Sequence, residues 1–96
     1  MSLDYLENAL RITMPFPWFT TRQLLMLVAL SKQPDRVDFG VLKFELGYQP
    51  AVASRNLSTL MRYGLAERIT NDLDRRKRFV GITEKGSALI REMVTL

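Results

Sequence analysis

The 96-residue sequence contains no cysteine and no histidine. Disulfides, thiol sensing, thiolate nucleophiles, zinc sites of the usual ligand types and imidazole acid–base catalysis are thereby excluded, and most enzyme classes go with them. The scattered carboxylates Asp35, Asp38, Asp72 and Asp74 come with no nucleophile–base pair and no phosphate-cradling glycine loop. No catalytic residue, metal or cofactor is expected. Long hydrophobic runs are missing as well: the longest, Leu24 to Leu30, falls far short of the ~20 residues a membrane helix needs, and the N-terminus lacks a basic-then-apolar signal pattern. The expectation is a soluble, cytoplasmic protein with no membrane partner.

Negative charge is also absent from one long stretch. Between Glu45 and Glu67 there is no acidic residue, while Arg55 and Arg62 lie inside that window. Shortly afterwards "NDLDRRKRFVGITEKG" places Arg75, Arg76, Lys77 and Arg78 side by side. With a net charge of +4 and a pI near 9.9, this distribution points to an anionic partner. Hydrophobic residues at 47% and charged residues at 25% fit one small folded domain with a single core.

Leu3, Leu6 and Leu10 recur at helical spacing, so residues 3–13 read as an amphipathic helix that ends before Pro15 and Pro17. Phe16, Trp18 and Phe19 are expected to pin that helix to the body. Thr20 with Gln23 three residues on is a capping box opening a helix over 20–32, apolar on all sides and therefore central and buried. Val37 can begin a short strand, and Asp38 can cap a helix over 38–46 that stops at Gly47. After the turn "GYQP", Pro50 suits the first position of a helix over 50–63, with Gly64 placed as a C-terminal glycine. Helix, tight glycine-containing turn and helix make a helix-turn-helix. "LAERIT" and "RFVGIT" then read as the two strands of a hairpin over 65–82, and Thr83 caps a last helix over 83–95. The fold class expected is mainly α with a small antiparallel β-hairpin (α+β), a single winged helix-turn-helix domain over residues 1–96.

The order and spacing of "TTRQLLMLVALS", "VLKFELGYQPAVASRNLSTLMRYGLAERI" and "DRRKRFVGITEKG" resemble the winged helix-turn-helix core of the MarR family of bacterial transcriptional regulators, in a short form. The resemblance runs from Thr20 to about Gly86. It implies a regulator encoded by a bacterium, archaeon or phage, with double-stranded DNA as partner and a wing arginine in the minor groove, braced by an aspartate: Asp74 as the brace and Arg76, or else Arg75, as the inserted cation. Narrow minor grooves attract arginine through their enhanced negative potential, and each neutralised phosphate releases counterions. Lys77 belongs to the same basic tip, and Arg78, in the returning strand, suits a phosphate. Taken alone, the basic run also fits a solvated hairpin whose charges block edge-to-edge strand pairing.

Within 50–63, Ala53, Leu57, Leu60 and Met61 share one side and should pack on the central helix. Ala51, Val52, Arg55, Ser58, Thr59 and Arg62 share the other, with Gln49 at the turn and Ser54 at the boundary. Small apolar groups suit thymine methyls, Arg55 a guanine edge, and Arg62, Gln49 and the helix N-terminus suit phosphates. Ser58 and Thr59 fit an ordinary solvent-facing surface equally well. The resemblance further implies a homodimer built by the terminal helices, here Tyr5, Leu6, Ile90, Met93 and Val94, which can equally cover the intrachain core. Both helices are short, which leaves a small-molecule effector without supporting residues. The alternative function is a protein-interaction module docking on transcription or replication machinery, favoured if Tyr48, Tyr63 or Phe79 stand exposed.

Overall fold

The computed structural model describes residues 3–14, 19–33, 35–70 and 78–94, with the backbone alone for Tyr5. Along these residues run α1 (Leu3–Thr13), α2 (Thr21–Ser31), β1 (Val37–Asp38), α3 (Phe39–Leu46), α4 (Pro50–Arg62), β2 (Ala66–Ile69), β3 (Phe79–Ile82) and α5 (Glu84–Val94). Most boundaries have a local chemical cause. Thr20 Oγ1 accepts from the Gln23 amide at 3.2 Å, and Gln23 Oε1 accepts from the Thr20 amide at 2.9 Å, so the capping box forms as the spacing predicts. Asp38 Oδ1 accepts from the Gly40 amide at 2.7 Å, and Gly47, at φ 69°, closes α3 in the left-handed conformation that suits glycine. Pro50 opens α4, where its missing N–H would have no partner in any case.

The end of α4 is tied to the start of α5. Gly64 turns the chain at φ 74°, Thr83 Oγ1 donates to the Gly64 carbonyl, and Lys85 Nζ donates to the Tyr63 carbonyl at 3.0 Å. Thr83 Oγ1 also accepts from the Gly86 amide at 3.1 Å, capping α5. A glycine inside a helix costs about 1 kcal/mol relative to alanine, yet position 86 has no room for a methyl group: a Cβ there would run into the Leu65 carbonyl oxygen and come within 2.7 Å of Ile82 Cγ1. The run Ile-Thr-x-x-Gly at residues 82–86 is thus a docking joint between α5 and the turn that leaves α4.

The sheet holds one strand more than the hairpin expected. It is antiparallel in the order β1-β3-β2, with Val37 opposite Val80, Asp38 opposite Phe79, and β2 paired from Ala66↔Ile82 to Ile69↔Phe79. Without β1 the outer edge of β3 would present unpaired backbone groups. The Phe39 amide extends the pairing by donating to the Arg78 carbonyl at 2.8 Å, which fastens the first residue of α3 to the wing.

Met26, Leu27, Leu30, Leu42, Leu60 and Val80 are sealed at the centre, joined by Ala53, Leu57, Leu65 and Phe39. Each large aliphatic side chain buried there contributes about 1.5–3 kcal/mol. The central helix is not covered all round as its composition suggests. α2 packs on α4, α5 and β3, and Leu25 keeps 48% of its surface exposed, because three neighbours on one side leave the other side of an 11-residue helix open. α1 packs chiefly on α5; Asn8 Nδ2 donates to the Glu92 and Met93 carbonyls, each at 2.8 Å, satisfying acceptors at the end of α5 that lack helical partners. Phe16 and Trp18, expected to pin α1, lie outside the described residues, while Phe19 packs half-buried against the core.

Candidate nucleic-acid interface

Helix α4 divides by burial. Ala53, Asn56, Leu57 and Leu60 are buried and Met61 packs half-buried against the core. On the other side Gln49, Ala51, Ser54, Arg55, Ser58 and Arg62 are exposed, with Val52 and Thr59 half-buried. The Thr59 hydroxyl donates to the Arg55 carbonyl at 3.1 Å, so its proton is already engaged within the helix. Gln49 caps α4 by backbone conformation only and makes no side-chain cap. Its carboxamide and the first amides of α4 are therefore not engaged with one another. Asn56 is the residue sequence reasoning missed: a polar side chain 7% exposed on the apolar side.

The sheet supplies the second half of the surface. Strand alternation puts Ala66, Arg68, Val80 and Ile82 on one face and Glu67, Ile69, Phe79 and Gly81 on the other, as the pairs Arg68↔Val80 and Glu67↔Gly81 require. Val80 is buried, so its face is the one turned to the helices. Arg78, two residues before Val80, continues that face beyond the core. A narrow cleft is accordingly lined by Ser54, Leu57 and Ser58 from α4, Arg68 and Arg78 from the wing, and Phe39 and Val80 beneath. The polar side of α4 and the base of the wing thus form one surface, and the acid Glu67 points away from it. Arg68 was legible only as part of a strand, since its role depends on which parity of the strand meets α4. Asp74, Arg75, Arg76 and Lys77 lie outside the described residues.

Tyr48 and Phe79, named for a protein-docking surface, are engaged within the fold. The Tyr48 hydroxyl donates to the Arg22 carbonyl at 2.9 Å; burial pushes its pKa above the usual tyrosine value, with the charge of Arg22 opposing in part. Phe79 is covered by the Arg36 guanidinium, 4.4 Å above its ring. Tyr63 is 36% exposed. Of the residues expected at a dimer contact, Met93 is 4% exposed and Ile90 packs against the core, so both act within the chain. Leu6 at 49% and Val94 at 58% face outwards; the Tyr5 side chain is outside the described set. Among the described residues no cluster of metal-ligating side chains occurs and no helix is long and apolar enough to cross a membrane.

A helix-turn-helix whose second helix meets a three-stranded antiparallel wing defines a winged helix-turn-helix protein. The profile of the MarR family matches residues 19–77, more than half of the chain. The chain belongs to the MarR family of transcriptional regulators. No curated protein matches it by sequence. Among solved structures, RV1404 from Mycobacterium tuberculosis is 25% identical, with 95% of this chain and 61% of that one covered at a TM-score of 0.79. A variant of MepR from S. aureus bound to an oligodeoxyribonucleotide is 22% identical, with coverage of 94% and 65% and a TM-score of 0.79. PcaV from Streptomyces coelicolor, solved with its natural ligand, is 24% identical, with coverage of 77% and 52% and a TM-score of 0.69. The chain spans about half to two-thirds of the length of these three proteins.

Proposed function

We propose that this chain is a sequence-specific double-stranded DNA-binding transcriptional regulator that lays α4 in the major groove and its basic wing in the minor groove. The observation that carries the proposal is the shared cleft of Ser54, Ser58, Arg68 and Arg78, which joins an acid-free helix face to two arginines at the base of the wing. Membership of the MarR family and the likeness to an oligonucleotide-bound MepR support it. Ala51 and Val52 meet thymine methyls, Arg55 reads a guanine, Ser54 and Ser58 face base edges or bridging water, and Gln49, Thr59 and Arg62 flank the backbone. Arg68 and Arg78 hold phosphates at the wing base, while Asp74 braces Arg76 or Arg75 in the groove, with Lys77 beside them.

The acting unit is a homodimer. Leu3, Leu6, Leu10 and Met14 follow one another along α1 at 81%, 49%, 58% and 78% exposure, next to Val94 at 58%. A stripe of this kind, on a helix packed chiefly on α5, suits a second copy, and two copies would present two α4 helices to half-sites about one helical turn apart. The protein-docking alternative finds its support in Phe44, 88% exposed on α3. Footprinting on the DNA flanking the gene tests the regulator reading. A protected site with two-fold symmetry and a base preference relaxed by Arg55→Ala is expected; protection of no sequence at any concentration would refute it.

A further inference from the structure

A second cleft opens on the other side of α4, where the first turn of α2 faces it. It encloses about 650 Å³ and is lined by Thr20, Thr21, Arg22, Gln23, Val52, Arg55 and Asn56. Two of these are carboxamides more than nine-tenths buried, Gln23 at 8% and Asn56 at 7% exposure. Gln23 Oε1 is taken up by the Thr20 amide, but Gln23 Nε2 and the whole Asn56 carboxamide have no hydrogen-bond partner among the described residues. Buried polar groups are normally satisfied. Among the described residues no side-chain polar atom sealed from solvent lacks a partner, so the free amide atoms keep contact with solvent, and both side chains line the cleft.

Around those amides stand two cations and an open helix end. Arg22 and Arg55 are exposed at the rim. The capping box engages the Gln23 amide and the Leu24 amide bonds the Thr20 carbonyl, which leaves the amides of Thr21 and Arg22 at the positive end of α2 without helical partners. Tyr48 holds the Arg22 carbonyl from behind, fixing this turn against the helix-turn-helix. Donors and positive charge converge with no carboxylate among the lining residues. That is the chemistry of an oxyanion site.

We infer that this cleft is a phosphodiester clamp: Arg22, the first turn of α2 and the Gln23 and Asn56 carboxamides grip one backbone phosphate of the duplex beside the base that Arg55 reads. The inference rests on the regulator reading and deepens it. It assigns α2 a share in the interface and explains a polar residue on the buried side of α4. A phosphate held there fixes the register of α4, so Arg22 and Asn56 position the reading head without carrying sequence information themselves.

The test uses fluorescence anisotropy with a labelled random-sequence duplex over a series of salt concentrations, on the wild type, Arg22→Gln and, as a remote control, Arg11→Gln. Arg22→Gln should bind about tenfold more weakly at low salt, with the logarithmic salt slope shallower by about 1, as loss of one phosphate contact requires. Arg11→Gln should match the wild type. Unchanged affinity and slope in Arg22→Gln, with the wild type binding steeply, would overturn the clamp and leave the regulator reading standing. Absence of duplex binding by the wild type would remove both. Side-chain amide resonances of Gln23 and Asn56 provide a second readout: both should shift on adding duplex. A shift with inorganic phosphate alone and none with duplex would reassign the cleft to a free anion and overturn the inference.

Discussion

The two ends of the molecule finish their surfaces differently. At the α4 end the large apolar side chains are sealed, Leu57 at 4% and Leu60 at 0% exposure, and the outside is arginine, serine and small residues. At the α1 end Leu3, Leu10 and Met14 remain more than half exposed, and the helix is held by contact with α5 and the Asn8 hydrogen bonds. One surface seals its large apolar side chains and is cationic outside. The other leaves apolar area that only a further apolar surface would cover. The difference separates the residues proposed to read DNA from those proposed to pair chains, so each half of the proposal can be tested without damaging the other.

The largest effect should come from the interior that supports the reading surface. Leu57→Ala leaves a cavity beneath Ser54 and Ser58 and should cost about 2–5 kcal/mol of unfolding free energy in a denaturant titration, with DNA binding lost through unfolding. Breaking the opposite end should spare the fold: Leu10→Glu would place a charge in the proposed pairing stripe and weaken dimerisation at least about tenfold by sedimentation, while the melting temperature of the single chain stays the same. Arg78→Ala or Arg68→Ala should weaken duplex binding by about 1–3 kcal/mol, nearly equally for all sequences, in contrast to Arg55→Ala.

The smallest effect tests the joint between α2 and the helix-turn-helix turn. Tyr48→Phe removes the hydrogen bond to the Arg22 carbonyl and should cost about 0.5–1.5 kcal/mol. Because burial raises the folded-state pKa of Tyr48, its contribution is fully present below the unfolded tyrosine value of about 10 and fades as pH rises through the folded one. The stability gap between wild type and Tyr48→Phe should therefore hold steady from neutral pH to about pH 9 and narrow above pH 10.

What the sequence disclosed and what it hid follow the range of the interactions. Thr20 with Gln23, Asp38, Gly47, Pro50, Gly64 and Thr83 act on backbone within a few residues, so element ends were legible from neighbours alone. The polar and apolar sides of α4 followed from 3.6-residue periodicity. Pairing of Val37 with Val80 spans 43 positions, and nothing local announces it. Arg68 beside Ser54 and Ser58 depends on strand parity relative to a helix elsewhere in the chain. Asn56 breaks the apolar pattern of its own side, and its place became readable only once α2 stood opposite it. Leu25, expected to be covered, stands 48% exposed, and Met93, expected at a chain contact or in the core, is buried, for the same reason: an apolar residue on a short helix is covered or not according to which neighbours arrive.

On the proposed function, the α4 side and the wing base meet a double helix as one cationic surface. Titrating a labelled random-sequence duplex with the full chain at increasing salt tests it most directly. Log affinity should fall with log salt at a slope of about −5 or steeper for the dimer, becoming shallower when Arg68 and Arg78 are both replaced by alanine. A slope near zero, or one that the double replacement leaves untouched, would contradict it.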